Sequence, residues 1–410
     1  PVEPRAIGGD ILDGVARPLG IQQVPLTQAL GRFLAEPVAT PFDIPPFSKS
    51  AMDGFAVRRA DLADDSDATL TVAGVIAAGD VPAGPVRPGT AIRIMTGAPV
   101  PEGADQVIRV EYAAPSGAEV RFLERERSSN IIERGENARE GDLLLSPRRL
   151  NVHDIGVAAS VGLPELPVMV QPRLAVVSTG DELVEPGQEA GSGRIYNSNG
   201  YQLYAHALRA GFAPSYHGIA ADTAEALEAV LREALDGPDV LDEPGASDGP
   251  DVLVLSGGVS KGDFDYVPGV LASLGVQEVF HRVAMKPGRP LYLGVRDRES
   301  GGRQYVFGLP GNPVSVFVTF ELFAVRLLYR MAGLEPPEPS VSATLGEAIA
   351  KGDPERTEFI PVTIQDGVAR RVRYGGSSHL NALSQADALL EVPVGTTELP
   401  KGSVVHARPL

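Results

Sequence analysis

The 410-residue chain contains no cysteine. This absence excludes disulfide bonds, iron–sulfur clusters and thiolate zinc sites, and it permits a reducing compartment. The six histidines show no paired spacing of the kind that binds zinc. The chain also lacks a Gly-x-Gly-x-x-Gly fingerprint and a Walker A loop, so the two commonest nucleotide-binding signatures are missing.

Long hydrophobic runs and positive charge are scarce as well. No run of about 18 residues is apolar and free of charge, which predicts that no segment spans a membrane. The first residues carry no apolar signal core, and we therefore expect a cytoplasmic protein. With 53 acidic and 36 basic residues the formal net charge is −17. This balance argues against nucleic acid or an acidic membrane surface as the main partner.

An apolar strand at 253–256 runs into a glycine loop, Ser-Gly-Gly-Val-Ser-Lys-Gly-Asp-Phe-Asp at 256–265. A strand that ends in Ser-Gly-Gly can expose backbone N–H groups to an anion. The loop also carries Asp263 and Asp265, whose hard oxygens suit a magnesium-type ion better than zinc. This loop predicts a phosphate site beside a divalent cation, with four candidate ligand-binding residues: Ser256, Gly257, Gly258 and Ser260.

Two later segments are also directed at anions. Residues 286–290 read Lys-Pro-Gly-Arg-Pro, and Arg282 lies just before them, which gives the only compact positive cluster near the glycine loops. Residues 308–315 read Gly-Leu-Pro-Gly-Asn-Pro-Val-Ser, where Asn312 is predicted to cap a helix that runs to about residue 329. A helix start is itself an anion site. Together these segments predict a phosphorylated ligand.

Residues 173–330 alternate between predicted strands and helices. A helix over 199–209 is closed by Gly211, and a capping box from Asp222 to Glu225 opens a helix to about residue 235. The acidic 236–250 segment is expected to be a surface insertion. The alternation predicts a doubly wound α/β domain. Ligands of such sheets lie at the carboxyl ends of the strands, where the 179–183 and 256–265 loops are found.

The remaining regions are rich in short strands and turns. Residues 45–136 predict an inserted β-rich domain, and residues 333–410 predict a small β-barrel. We expect a multidomain chain with these boundaries: a central α/β domain at 1–22 and 171–332, a connecting domain at 23–44 and 137–170, the β-rich domain at 45–136, and the barrel at 333–410.

The sequence resembles the molybdopterin molybdenumtransferase family, known as MoeA in bacteria and as the E domain of gephyrin in animals, over essentially its full length. Seven segments carry the resemblance in the same order. They are Pro-Pro-Phe-Ser-Lys-Ser-Ala-Met-Asp-Gly-Phe-Ala at 45–56, Arg-Ile-Met-Thr-Gly-Ala at 93–98, Ser-Thr-Gly-Asp-Glu-Leu at 178–183, Tyr-Asn-Ser-Asn at 196–199, and the three segments at 253–266, 286–290 and 308–315.

The resemblance implies an elongated homodimer whose α/β domain is related to the molybdopterin adenylyltransferase fold. It implies an enzyme of molybdenum cofactor biosynthesis that hydrolyses adenylylated molybdopterin and inserts molybdate into the dithiolene, with Mg²⁺ as cofactor and AMP as product. The dithiolene supplies the soft sulfur ligands, so a protein without cysteine is chemically consistent. Transient contacts with molybdopterin adenylyltransferase and with molybdoenzyme acceptors are expected from this reaction.

The same resemblance assigns the site. It implies that the 45–136 region of one subunit completes the cleft of the other. The implied metal ligands are Glu182 and Asp265. The implied catalytic residues are Asp53, Thr96, Glu182, Asp222, Asp265 and Lys286, and the substrate-binding residues are Ser256, Gly257, Gly258, Ser260, Arg282, Gly288, Arg289, Pro310, Gly311, Asn312 and Ser315.

The chain departs from the family pattern in its basic residues. Arg282 and Arg289 stand where the family usually has lysine, which keeps the charge and changes the hydrogen-bond geometry. Several acidic residues also have ordinary structural interpretations. Asp222 and Asp265 stand where a helix cap would, and Asp53 precedes a glycine as turn aspartates often do.

Three alternative functions stay open. The first is a scaffold that keeps the dimeric fold and clusters other proteins. The second is a different reaction on the same fold, either adenylylation of molybdopterin or cleavage of another nucleotide pyrophosphate. The third is insertion of tungstate, because tungstate and molybdate are both tetrahedral and nearly equal in size.

Overall fold

The computed structural model divides the chain into two compact units, Pro1–Gln22 with Met169–Leu410 and Gln23–Val168. The finer division into four domains stays a prediction. The residues described below are 2–7, 11–62, 68–237, 249–259, 266–299, 301–373 and 375–410.

The first unit is built on a six-stranded sheet. Its first four strands in sheet order are parallel, and the last two run antiparallel to their neighbours. The three inner parallel strands are buried almost throughout, as expected of a sheet covered on both faces, whereas the edge strand Pro214–Ala220 is only half-buried. This arrangement confirms the predicted doubly wound α/β domain. In sheet order the strands are Pro214–Ala220, Leu174–Thr179, Val252–Ser256, Arg303–Leu309, Tyr292–Asp297 and Gln277–His281.

Two helices of this domain show how local sequence sets their ends. The helix Asn199–Ala210 ends at Gly211, whose φ of 96° is the left-handed conformation predicted for a closing glycine. The helix Ala224–Asp236 is capped by Thr223, whose hydroxyl accepts from the N–H of Ala226. The prediction that Asp222 is the cap was therefore wrong by one residue, and the Asp222 side chain is left for other contacts.

The long apolar segment after Asn312 is helical, as predicted, but it is not one regular α-helix. It comprises Pro313–Thr319, a π-helical segment Phe320–Ala324, and Val325–Met331. π segments often mark functional positions, and this one presents Glu321 to the 199–210 helix. The other helices of the unit are short: Pro4–Ala6, Leu12–Val15, Val267–Ser273 and Asn381–Ser384.

The C-terminal strands form the predicted small barrel. The strand Thr357–Gln365 pairs with Val368–Arg371 on one side and with Ala388–Val392, the last strand of the sheet, on the other. The second pairing closes the sheet into a barrel. The core of the barrel includes Ile360, Val362 and Leu390. The remaining barrel strands are Val341–Leu345 and Val404–Pro409; the pair Ile349–Ala350 and Glu398–Leu399 lies beside them, and the short strand Met285–Lys286 adds to one edge.

The second unit contains a six-stranded, largely antiparallel sheet, which confirms the predicted β-rich fold. Phe55 and Phe122 pack edge to face in its core with centroids 6.0 Å apart. In sheet order its strands are Gln106–Arg109, Gly54–Val57, Thr90–Ile94, Thr69–Ile76, Glu119–Phe122 and Ala113–Ser116.

Short elements complete the second unit. The helix Val152–Ser160 begins at a capping box formed by Asn151 and Asp154. Two antiparallel pairs connect distant parts of the segment, Val38–Ala39 with Leu143–Leu145 and Lys49–Ser50 with Ile131–Ile132. The other elements are Ile21–Pro25, Leu26–Ala29, Arg59–Leu62, Val110–Tyr112 and Glu165–Met169.

Membrane insertion by a helix finds no support in the fold. In the described ranges no helix combines the length and the apolar character that a bilayer span requires.

Candidate active site

A cavity of about 650 Å³ lies at the carboxyl edge of the parallel strands in the first unit. The loops that follow Thr179, Ser256 and Leu309 line it, which is where a doubly wound sheet binds ligands. Predicted site residues that the structure brings together here are Glu182, Asp222, Ser256, Gly257, Gly258, Pro310, Gly311 and Asn312.

Two glycines of the loop are required by close packing. A Cβ atom on Gly257 would lie 2.6 Å from the carbonyl oxygen of Thr179, and one on Gly258 would lie 2.7 Å from Val267 Cγ2. Both residues also have positive φ angles, 102° and 65°. The N–H of Gly257 donates to the carbonyl of Leu309 at 3.0 Å. Gly257 therefore shapes the cavity wall, and its N–H group is already used within the sheet.

Three acidic residues meet at one side of the cavity. The carboxylate of Asp181 accepts from the N–H of Asp222 at 3.0 Å, and that of Asp222 accepts from the N–H of Asp181 at 3.3 Å. This exchange ties the loops after two strands together. The Glu182 carboxylate folds back over Gly180, where a Cβ atom would lie 2.7 Å from Glu182 Oε2. Glu182 and Asp222 both line the cavity.

An amide network lies beside the cavity, and the sequence did not assign a role to its members. The Asn197 amide donates to the Tyr216 hydroxyl at 2.6 Å, and that hydroxyl donates to Glu185 at 2.5 Å. Burial, together with the nearby Glu185 charge, raises the pKa of Tyr216, so the hydroxyl stays protonated. Asn199 donates to the Gly311 carbonyl at 2.7 Å. The Tyr-Asn-Ser-Asn segment at 196–199 was the available signal for these residues.

The helix start at Pro313 differs from its prediction in detail. Asn312 occupies the cap position, yet its side chain makes no capping bond and donates instead to Ser377 Oγ at 2.9 Å. The carbonyl of Ser377 accepts from the N–H of Val314 at 3.0 Å. Ser315 is 4% exposed and does not belong to the described lining. Ser378 does line the cavity, and no sequence signal pointed to it.

The predicted basic cluster lies apart from the described cavity lining. Arg282, Lys286, Gly288 and Arg289 are absent from that lining, although the adjoining Pro290 belongs to it. The Lys286 ammonium pairs with the Glu358 carboxylate at 3.0 Å. Arg282 adopts φ = 90°, a left-handed conformation that is uncommon for a residue other than glycine.

Asp53 and Thr96 are paired with each other in the second unit. The carboxylate of Asp53 accepts from the Thr96 N–H at 2.6 Å and from the Thr96 hydroxyl at 2.7 Å. These two hydrogen bonds hold the pKa of Asp53 below its usual value, so the carboxylate stays ionised. The structure thus joins two of the residues that the sequence assigned to catalysis.

Ser260 and Asp265 lie outside the described residues, so their predicted roles stay predictions. Within the described part of the chain, no group of three or more histidine, cysteine, aspartate or glutamate side chains is arranged to hold a metal ion. Glu182 and Asp222 nevertheless offer two hard carboxylates in one cavity. Mg²⁺ is commonly bound by one or two carboxylates together with substrate phosphates, so this donor set fits such an ion.

Three family models match the chain in succession. The MoeA N-terminal region (domain I and II) matches residues 9–162, the probable molybdopterin binding domain matches 175–330, and the MoeA C-terminal region (domain IV) matches 342–410. The chain belongs to the MoeA family. All of the cavity's lining residues except Ser378 and Leu380 lie in the segment that matches the molybdopterin binding model of this family.

Curated MoeA relatives match along most of the chain. The molybdopterin molybdenumtransferase of Bacillus subtilis is 33% identical, covering 93% of this chain and 88% of the relative. Molybdopterin molybdenumtransferase 2 of Mycobacterium tuberculosis is 36% identical, covering 93% of each chain. Among solved structures, the molybdopterin biosynthesis MoeA protein from Pyrococcus horikosii superposes with a TM-score of 0.80 at 30% identity, covering 100% of this chain and 99% of the other.

Proposed function

We propose that this protein is a molybdopterin molybdenumtransferase of molybdenum cofactor biosynthesis. In the proposed reaction adenylylated molybdopterin is hydrolysed, AMP leaves, and molybdate enters the dithiolene. The observation that carries the proposal is the cavity at the carboxyl edge of the parallel sheet, which is lined by Glu182 and Asp222 and formed mostly by the segment that matches the molybdopterin binding model. Relatives that share this name over 93% of the chain support it.

The chemistry that we assign to the chain's own residues is mostly positioning and electrostatic stabilisation. The backbone N–H groups of Gly258 and Gly311 orient the phosphates, and Lys286 attracts molybdate and offsets developing negative charge. Glu182, with the predicted ligand Asp265, would hold Mg²⁺. When bound, that ion polarises the phosphoanhydride. Asp222 fixes the loop that carries Glu182 through its exchange of hydrogen bonds with Asp181.

We also propose that the protein works as a homodimer. Tyr201, Tyr204 and Leu208 lie on one face of the 199–210 helix at intervals of three and four residues, and all three are exposed. Such an apolar face on a helix is typical of a protein–protein contact. The dimer would allow the 45–136 region of one subunit to complete the cleft of the other, and we assign the Asp53–Thr96 pair to that task.

Molybdopterin adenylyltransferase and molybdoenzymes are the proposed transient partners.

The test is release of AMP from adenylylated molybdopterin by the purified protein with magnesium, with and without molybdate. Release that depends on molybdate is the expected result. Release that is indifferent to molybdate would favour cleavage of the pyrophosphate alone, and a folded dimer that releases none would favour the scaffold. Replacing molybdate by tungstate in the same assay distinguishes the two metals by their kcat/KM values.

A further inference from the structure

Lys286 and Glu358 are held together by strand pairing. The short strand Met285–Lys286 runs parallel to Thr357–Gln365, and the register places Lys286 opposite Glu358. Their charged atoms, Nζ and Oε1, are 3.0 Å apart. Opposite residues on paired strands project to the same face, so the backbone itself keeps the lysine beside the carboxylate. Half of the Lys286 side chain is exposed, whereas the Glu358 side chain is 9% exposed.

A second lysine, which is buried, lies beside the strand that pairs with Glu358, because it bonds the carbonyl of Val392, the residue opposite Glu358 in the strand register. Lys351 is 7% exposed, and its ammonium donates to the carbonyl of Pro393 at 2.6 Å and to that of Val392 at 3.4 Å. Carbonyl groups satisfy hydrogen bonds but do not neutralise the charge. Burial lowers the pKa of Lys351, and the charge of Glu358 opposes that shift.

The charge of this cluster is incompletely balanced. Asp353, the other acidic neighbour of Lys351, is already paired with Arg356 at 2.6 Å. Lys286 is paired with Glu358, and Lys351 is held by the carbonyl of Val392 opposite Glu358, so these three side chains together carry one net positive charge. An unmatched charge near a protein interior is unfavourable, and an anion bound at the exposed lysine would relieve it.

We infer that Glu358 is a positioning residue for the oxyanion step. The Glu358 carboxylate holds the Lys286 ammonium in place before the anion binds. When a tetrahedral oxyanion binds, the Lys286 ammonium pairs with that anion instead. The Lys351 ammonium then balances the charge of the Glu358 carboxylate. The identity of that anion as molybdate rests on the proposed function. The roles of Glu358 and Lys351 rest on the ion pair, the strand register and the burial of the second lysine.

A charge series tests the inference. Glu358→Gln, Lys351→Met and the double variant would be titrated calorimetrically with molybdate, without magnesium or pterin. Removing the competing carboxylate is expected to tighten binding about tenfold, and removing the buried cation is expected to weaken it about tenfold. The double variant restores the net charge and should bind about as tightly as the wild type. Lys286→Met should abolish the binding.

Melting temperatures and kinetics separate positioning from a structural role. Glu358→Gln should lower KM for molybdate and also lower kcat, because the freed lysine is no longer oriented, and Glu358→Asp should restore both towards wild-type values. If the molybdate affinities of the variants correlate with their melting temperatures and not with the net charge of the three side chains, the inference is wrong. So would a Glu358→Gln protein that binds molybdate no more tightly than the wild type, or molybdate binding that survives Lys286→Met.

Sulfate, another tetrahedral dianion, separates this inference from the proposed reaction. If the variants show the same order of affinities for sulfate, but the protein never releases AMP, the Glu358 inference is supported and the molybdenumtransferase proposal is wrong. If the variants do not show the expected order of affinities with either anion, but the protein releases AMP when molybdate is added, the Glu358 inference is wrong and the molybdenumtransferase proposal is supported.

Discussion

His206 and Glu321 form a buried pair, with His206 Nε2 2.5 Å from Glu321 Oε2. The histidine ring stacks on Phe317 with centroids 4.5 Å apart, and Arg209 and Arg408 also contact the Glu321 carboxylate. The glutamate therefore joins the 199–210 helix, the π-helical segment and the last barrel strand. Burial lowers the pKa of His206, and the Glu321 carboxylate opposes that shift.

This pair predicts how the free energy of unfolding depends on pH below neutrality. Burial alone would raise the pKa of Glu321, but His206 and the two arginines lower it to about 2. A lowered folded-state pKa gives stability that is present above the unfolded value of about 4.3 and is lost as pH falls towards 2. Glu321→Gln should cost on the order of 2 kcal/mol of unfolding free energy at pH 7, measured in urea. Its deficit relative to the wild type should shrink between about pH 4.5 and 2.

The matched control is Glu228→Gln, which removes an exposed i, i+4 partner of Arg232. Its effect should stay within a few tenths of a kcal/mol, as is usual for such pairs. A Glu321→Gln deficit that is constant across this pH range would contradict the assignment.

Gly257→Ala tests the packing of the cavity wall. The added methyl group would lie 2.6 Å from the Thr179 carbonyl oxygen, where backbone must move. We expect a loss of about 2–4 kcal/mol, which combines backbone strain with overpacking. Gly187→Ala is the control, because Gly187 has a similar φ of 92° and open space around its Cβ position. It should cost only about 1 kcal/mol, and equal costs would refute the packing argument.

Glu182→Gln tests the proposed metal side of the cavity. Loss of the carboxylate should lower molybdate-dependent AMP release by about 100-fold, because a bound cation contributes several kcal/mol of charge stabilisation. Raising the magnesium concentration should recover part of the rate. Glu189→Gln changes an exposed glutamate outside the described lining and should be neutral. Equal activity of the two variants would remove Glu182 from the mechanism.

Asp53→Asn separates charge from geometry in the second unit. Asparagine can still accept both hydrogen bonds from Thr96, so the turn should fold normally. We expect AMP release to fall about tenfold or more if the ionised carboxylate acts in the cleft. Asp80→Asn is the control, since the Asp80 carboxylate also accepts a hydrogen bond from a backbone N–H, that of Ala77. An Asp53→Asn enzyme of full activity would leave this pair with a structural role only.

Leu208→Glu tests the proposed dimer. Leu208 is 48% exposed on the apolar face of the 199–210 helix, and a charge buried in an interface is costly. Light scattering should show a dimer for the wild type and a monomer, at micromolar concentration, for the variant. Val152→Glu, at a residue 65% exposed outside both the 45–136 region and the 199–210 helix, should leave the mass unchanged. A wild-type monomer, or a Leu208→Glu dimer, would contradict the proposal.

The sequence by itself determined the fold class and the edge of the sheet where ligands bind. Apolar strands, punctuating glycines and closing residues such as Gly211 act over a few neighbours, so their outcome can be predicted locally. The same holds for the resemblance, because its motifs are contiguous. Even the error at Asp222 was a shift of one residue along the chain.

Only the tertiary structure decided which side chains meet. The pairing of Lys286 with Glu358 depends on a register between strands 72 residues apart in the sequence. The hydrogen bond that Asn312 donates to Ser377 and the one that Asn199 donates to Gly311 likewise join distant segments. Hydrogen bonds and ion pairs of this kind act over about 3 Å, whereas sequence patterns report only on neighbours along the chain. Long-range packing therefore fixed the details of the site that local sequence could not.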